Sequence, residues 1–107
     1  MHKFNFSKCL KDLFHLNRSL TGKGTLMTIN YFRKINPEFK LIKFKSDSKV
    51  FDWKVPLEWN VKDAFLNHIS SNRKFAEFKK NNLHLVGYSV PVKKIINLKE
   101  LKKKLHI

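Results

Sequence analysis

The chain has 107 residues, enough for one domain with a modest hydrophobic core. Its 42% apolar residues, which include ten Phe, exclude a disordered chain by composition. The single cysteine, Cys9, excludes an internal disulfide framework and is typical of a reducing compartment. No apolar run reaches the roughly 18 residues that a membrane span needs. We therefore expect a cytoplasmic protein without a membrane partner.

Charge is the most pronounced feature of the composition. Against 8 Asp and Glu the chain has 23 Lys and Arg, for a net charge of +15. Such an excess favours a nucleic-acid partner. Only Arg18, Arg33 and Arg73 carry the guanidinium fork that reads base edges, and the lysines are spread along the chain. We expect nonspecific nucleic-acid binding at low salt, and a small basic nucleic-acid-binding module is the alternative interpretation of function.

Two helices are predicted at the N-terminus. In the first, apolar residues recur at helical spacing between Phe6 and Phe14, and Ser7 is the expected cap. A break with two glycines follows. The second helix is predicted from Thr25 to about Ile35, because the residue before Pro37 is disfavoured in helical backbone.

Beyond Pro37 the apolar period changes from 3.6 to 2, which predicts strands at residues 40–45, 50–55, 60–66, 74–78 and 83–88. Asn97 and Glu100 then form a capping-box pattern before a short helix. The predicted fold class is α+β: two N-terminal helices, a small antiparallel β-sheet of about five strands and a short C-terminal helix. We divide the chain into a helical segment (1–36), a β-rich subdomain (37–92) and a C-terminal helix (93–107), which we expect to be truncated.

The GKGT sequence at residues 22–25 resembles the end of a phosphate-binding loop. Asn17 stands where the first glycine of that motif belongs, so a helix-to-helix corner is the simpler interpretation. Amides at the start of the second helix could still attract an anion, with Lys23 and Gly24 as the candidate contacts.

Metal-binding and nucleophile motifs are missing from the sequence. The five histidines and Cys9 show no metal-ligand spacing, and no Gly-x-Ser-x-Gly elbow occurs. We expect His84 to be a hydrogen-bonded strand residue. We assign no catalytic and no metal-ligating residue, and we expect no cofactor in this chain.

Both tryptophans, Trp53 and Trp59, lie in a nearly neutral window. Between residues 47 and 63, four acids stand against three lysines, for a net charge of −1. The pair could fill the space between sheet and helices, or it could anchor an interface. In either role we expect Trp53 to be the more buried, because it shares a predicted strand face with Phe51 and Val55.

Four stretches, in this order, resemble one family: residues 18–24 (RSLTGKG), 50–65 (VFDWKVPLEWNVKDAF), 82–91 (NLHLVGYSVP) and 98–106 (LKELKKKLH). The chain resembles the N-terminal part of bacterial aminopeptidase-like proteins of the zinc exopeptidase type. That family is of unknown function and often occurs in polysaccharide-biosynthesis gene clusters. The resemblance implies a longer protein, in which a zinc-binding peptidase core follows and acts on a peptide-like substrate.

The resemblance has two departures. Many members continue the glycine pair with Val-Arg-Glu-Thr, where this chain has Thr25-Leu26-Met27-Thr28. The family's metal ligands also lie downstream of every residue present here. The resemblance therefore implies a truncated aminopeptidase-like fragment that lacks its zinc site, is inactive alone and has the missing peptidase core as its partner.

Overall fold

The computed structural model describes residues 4–105, in which helices and strands both occur, as the predicted α+β class requires. In chain order the elements are α1 (Phe6–Phe14), α2 (Lys23–Ile35), β1 (Lys49–Val50), β2 (Trp53–Lys54), β3 (Leu66–His68), β4 (Arg73–Phe75), a 3-10 helix (Asn82–His84) and α3 (Leu98–Lys102). The division into three segments stays a prediction, and residues 106 and 107 of its last segment lie outside the described residues.

Helix α1 begins at Phe6, one residue before its predicted cap Ser7. The Asn5 side-chain oxygen accepts a hydrogen bond from the Lys8 amide at 2.9 Å, so Asn5 and not Ser7 caps the helix. Asn5 has the extended backbone that this role requires, whereas Ser7 already lies within the first turn. One face of α1 buries Cys9 and Leu13, four residues apart.

Helix α2 begins at Lys23, two residues earlier than predicted, and ends at Ile35 as predicted. Asn36 is extended, as expected before a proline. Two hydrogen bonds link the helices and the connection between them: Tyr31 Oη donates to Asp12 Oδ2 at 2.9 Å, and Arg18 Nη1 donates to the Leu13 carbonyl at 2.8 Å.

The single sheet of about five strands was a wrong prediction. Residues 4–105 contain two separate antiparallel sheets of two strands each, one formed by β1 and β2 and the other by β3 and β4. Residues 40–45 join no sheet. The predicted strand at 60–66 reaches pairing only at Leu66, and the one at 83–88 is replaced by the 3-10 helix and a turn.

A tight turn explains the error at residues 50–55. Phe51 adopts a positive φ of 53°, and the chain reverses over Phe51 and Asp52, so that Val50 pairs with Trp53. Val55 extends this hairpin, because its amide donates to the Ser48 carbonyl and its carbonyl accepts from the Asp47 amide, both at 2.9 Å. The alternation that predicted one continuous strand is therefore divided between two short ones.

The described chain is open, with little hydrophobic core. Its buried apolar side chains are Cys9, Leu13 and Val55, and its Cα radius of gyration is 18.6 Å. A compact domain of this length would have a radius near about 13 Å. No helix within residues 4–105 is long and apolar enough to span a bilayer. Most of the large apolar side chains therefore remain in contact with solvent.

The link between α1 and α2 should depend on the ionisation of Asp12. Hydrogen bonds from Lys8 and Tyr31 hold the pKa of the Asp12 carboxyl below its usual range. The bond to Asp12 in turn raises the pKa of the Tyr31 hydroxyl. The ionised Asp12 carboxylate therefore contributes fully to the free energy of unfolding above its unfolded-state pKa of about 3.9. This contribution is lost as the pH falls through the lower pKa of Asp12 in the folded chain. An NMR titration should show Asp12 ionising below that value, and Tyr31→Phe should move its pKa upward. Unperturbed titration in both proteins would contradict this.

Candidate functional site

Three distant segments meet at Trp59. We call this meeting point the Trp59 junction; it comprises residues 19–24, 57–60 and 88–89. The Trp59 amide donates to the Thr21 carbonyl at 3.2 Å, and the Thr21 hydroxyl donates to the Leu57 carbonyl at 3.1 Å. The Ser19 hydroxyl lies 3.2 Å from the Trp59 carbonyl oxygen. These bonds fix the connection between α1 and α2 against the segment that follows β2.

The indole of Trp59 brings in the third segment. Its Nε1–H donates to the Ser89 carbonyl at 3.0 Å, and its ring centroid lies 5.7 Å from that of Tyr88 at an interplanar angle of 34°. The Tyr88 hydroxyl accepts a hydrogen bond from the Leu20 amide at 2.7 Å, so the third segment is also bonded to the first. A buried indole N–H usually needs such an acceptor.

Gly22 is required at the junction by close backbone approach. It has a φ of 148°, and a Cβ placed on it would lie 2.7 Å from the Trp59 carbonyl oxygen. Both the backbone angle and the contact exclude a side chain here.

Gly24 is required for a related reason. A Cβ on Gly24 would lie 1.8 Å from the Asn17 carbonyl oxygen, closer than any two such atoms can approach. The helix-to-helix corner favoured from the sequence thus contains two close approaches, one to the Trp59 backbone and one to Asn17 within the corner itself.

The first amide of α2 already has a partner within the chain. The Lys23 amide donates to Asn60 Oδ1 at 2.7 Å, so a side chain distant in sequence caps the helix in place of Gly22, which has none. An anion contact at Lys23 and Gly24 stays a prediction. Any such anion would share this helix end with the Asn60 amide oxygen.

The predicted burial order of the two tryptophans was wrong. Trp53 is 53% exposed, whereas Trp59 is half-buried. The turn at Phe51 removes Trp53 from the continuous strand face on which its burial was predicted. Trp59, in contrast, lies between two backbone segments that cover it. An anchoring role for either residue remains a prediction, and the structure gives Trp59 the larger set of contacts.

Two histidines, His68 and His84, make ordinary local contacts. His84 Nδ1 lies 3.1 Å from the Glu77 carbonyl oxygen, so His84 is hydrogen-bonded as expected but belongs to the 3-10 helix and not to a strand. His68 Nδ1 lies 2.7 Å from Ser71 Oγ. Across residues 4–105, no three His, Cys, Asp or Glu side chains come together as a metal-binding group would.

Basic and aromatic side chains are interleaved on the second hairpin. Lys74 Nζ lies 4.3 Å from the Phe65 ring centroid, and the Arg73 guanidinium lies 5.0 Å from that of Phe75. Each of these rings is therefore in contact with a cation of this chain. Nucleic-acid binding through such rings stays a prediction.

Sequence analysis missed Asn60, Tyr88 and Ser89 as members of the Trp59 junction. Their contacts cross 30 to 68 residues of chain, which local periodicity cannot reveal. One signal was available, because two glycines spaced by one residue commonly mark a close backbone approach.

The comparisons with known proteins agree with the motifs. Residues 58–107 match the model of a domain of unknown function, DUF2172. Over 97 residues the chain is 47% identical to a Clostridium acetobutylicum protein provisionally named as a polysaccharide biosynthesis protein with an aminopeptidase-like domain. These matches confirm the family resemblance. The alignment covers 91% of this chain but only 22% of the relative, and no solved structure matches the chain.

Adding a methyl group at Gly24 should open the junction. In an ordinary helix Gly→Ala stabilises by about 0.5–1 kcal/mol, but here the clash with Asn17 should cost about 1–3 kcal/mol and prevail. Gly24→Ala should therefore shift the Trp59 indole N–H resonance and speed its exchange with solvent. Gly87→Ala is the matched control, because a Cβ there meets nothing within 4 Å. Equal spectra for the two variants would contradict the close approach.

Replacing each tryptophan by Phe should separate their roles. Trp59→Phe keeps an aromatic ring but removes the bond to Ser89, which should lower the free energy of unfolding by about 1 kcal/mol. Trp53→Phe should change it by less than about 0.5 kcal/mol, because the Trp53 side chain is largely exposed. Denaturant titration followed by circular dichroism measures both. A larger loss of stability in Trp53→Phe than in Trp59→Phe would contradict the greater structural role of Trp59.

Proposed function

We propose that this chain is a non-catalytic packing segment of an aminopeptidase-like protein. In such a protein, zinc-dependent hydrolysis of a peptide-like substrate would be carried out by the part that this chain does not contain. The chain alone would then neither hold zinc nor hydrolyse peptides. The proposal is supported by the 47% identity to a relative of which the chain spans only 22%.

Exposure of the apolar side chains is the structural observation that carries the proposal. Large apolar residues remain exposed in nearly every part of the described chain, among them Phe51 at 90%, Ile95 at 80% and Val92 at 79%. A folded monomer seldom leaves apolar surface on this scale uncovered. The remainder of a longer protein would cover it and would supply the core that residues 4–105 do not form.

Charge is consistent with packing against a larger body. The nearly neutral window that holds both tryptophans would lose little favourable hydration on burial, whereas the lysine-rich segments would remain at the surface. A chain with a net charge of +15 is also attracted to an acidic neighbour.

Hydrogen exchange measures the packing directly. We would replace the matching region of the Clostridium acetobutylicum relative by this chain and compare amide deuterium uptake in the chimera with uptake in the isolated chain. We expect the amides of α1 and α2 to be protected more strongly in the chimera, since burial suppresses local opening. Equal uptake in the two contexts would contradict the proposal.

Activity is a second and independent readout. The purified chain should retain no stoichiometric zinc after dialysis and should release no product from aminoacyl nitroanilides. Tight zinc binding accompanied by chelator-sensitive turnover would show that the chain has its own catalytic centre.

A further inference from the structure

Helix α1 has an apolar row, next to the row that holds Cys9 and Leu13, that nothing in the described chain covers. Cys9 and Leu13 are each 9% exposed, but Phe6, Leu10 and Phe14 are 74%, 71% and 67% exposed. Residues spaced by four lie in one row along a helix. We call this row the α1 stripe. The exposed row lies on the same side of the helix as Cys9 and Leu13, so the apolar face of α1 is wider than the part that this chain covers.

We propose that the α1 stripe docks into an apolar groove with an acidic rim on the remainder of an aminopeptidase-like protein. This inference rests on the proposed function and names the surface through which the segment packs. Two observations support this occupant. The relative extends far beyond the region that this chain matches, and Lys11 at the edge of the stripe favours negative charge opposite it.

Lys11 gives the stripe a basic edge. Leu10, Lys11 and Phe14 together line a shallow surface concavity, so the Lys11 stem lies along the apolar row while its ammonium group can reach the rim. The other lysine of the helix, Lys8, already forms an ion pair with Asp12. Lys11 is thus the charge that a partner carboxylate would meet.

A second copy of this chain is a poor occupant. Two chains of net charge +15 would repel each other, and antiparallel stripes would bring lysines together at their edges. An acidic groove removes that repulsion and also supplies a partner for Lys11.

The C-terminal end of the stripe is held in place. Asn82 Nδ2 donates to the Phe14 carbonyl at 3.1 Å, which ties the 3-10 helix to the last turn of α1. The next residue, Leu83, is 77% exposed. A second exposed apolar side chain therefore follows directly in sequence the residue that is bonded to the end of the stripe.

The experiment compares two aliphatic residues with nearly equal exposure. Leu10→Gln changes the α1 stripe and keeps helix propensity, whereas Ile42→Gln changes a residue outside both the stripe and the Trp59 junction that is 72% exposed. Both variants are made in the isolated chain and in the chimera with the Clostridium acetobutylicum relative, and the protection of the α1 amides is measured by hydrogen exchange. In the chimera Leu10→Gln should reduce this protection roughly tenfold or more, and Ile42→Gln should reduce it less than about twofold. In the isolated chain neither variant should change it.

The outcomes are separable. If the unaltered chimera gains no protection, the proposed function fails and the docking surface fails with it. If the chimera gains protection but Leu10→Gln and Ile42→Gln have equal effects, the segment packs through another face and only this inference is overturned. A dimer of the isolated chain in sedimentation equilibrium that Leu10→Gln dissolves would also overturn it, because a second copy would then be the occupant.

Discussion

The close approach between the glycine loop and the backbone at Trp59 is the contact on which the arrangement of the chain depends. Gly22 leaves room for the Trp59 carbonyl, and Gly24 leaves room for that of Asn17. Without these two approaches, α2 would lose its cap from Asn60, and the indole of Trp59 would no longer stand between the helical segment and Ser89. Hydrogen bonds, more than buried apolar surface, hold these segments together.

That balance is unusual, because burial of apolar surface supplies most of the stability of ordinary domains. Here the hydrogen bonds of the Trp59 junction determine which segments contact each other. The apolar side chains that would normally stabilise such a contact lie outside the junction. The larger protein proposed above would reconcile the two. The Trp59 junction would orient the helices and hairpins, and packing against the rest of an aminopeptidase-like protein would then supply the missing burial. The α1 stripe is the surface to which we assign this purpose.

Sequence patterns predicted what is locally determined. The end of α2 before Pro37 and the capping box at Asn97 and Glu100 both depend on residues within one turn, and both are present. The strand predictions were wrong because alternation of apolar and polar residues shows only which side chains could share a face. It does not show whether a partner strand is present. In residues 40–45 no partner is present among the described residues, and at Phe51 a turn interrupts the alternation.

The candidate site was predicted only in outline for the same reason. The Trp-rich stretch and the glycine pair were recognised separately, but their contact with each other, and with Tyr88, depends on long-range geometry. A capping residue is normally sought just before its helix, so Asn60 could not be assigned to α2 from spacing. The family resemblance, in contrast, was predicted correctly, because it depends on the order of several motifs along the whole chain and not on local periodicity.

A crystal structure of the full-length Clostridium acetobutylicum relative would test the central claim most directly. The account predicts that its matching region forms the same junction around the residue aligned with Trp59, and that the helix aligned with α1 packs its outer row against the rest of the protein. A matching region that forms the junction but stands away from the remainder, with that row in solvent, would contradict it.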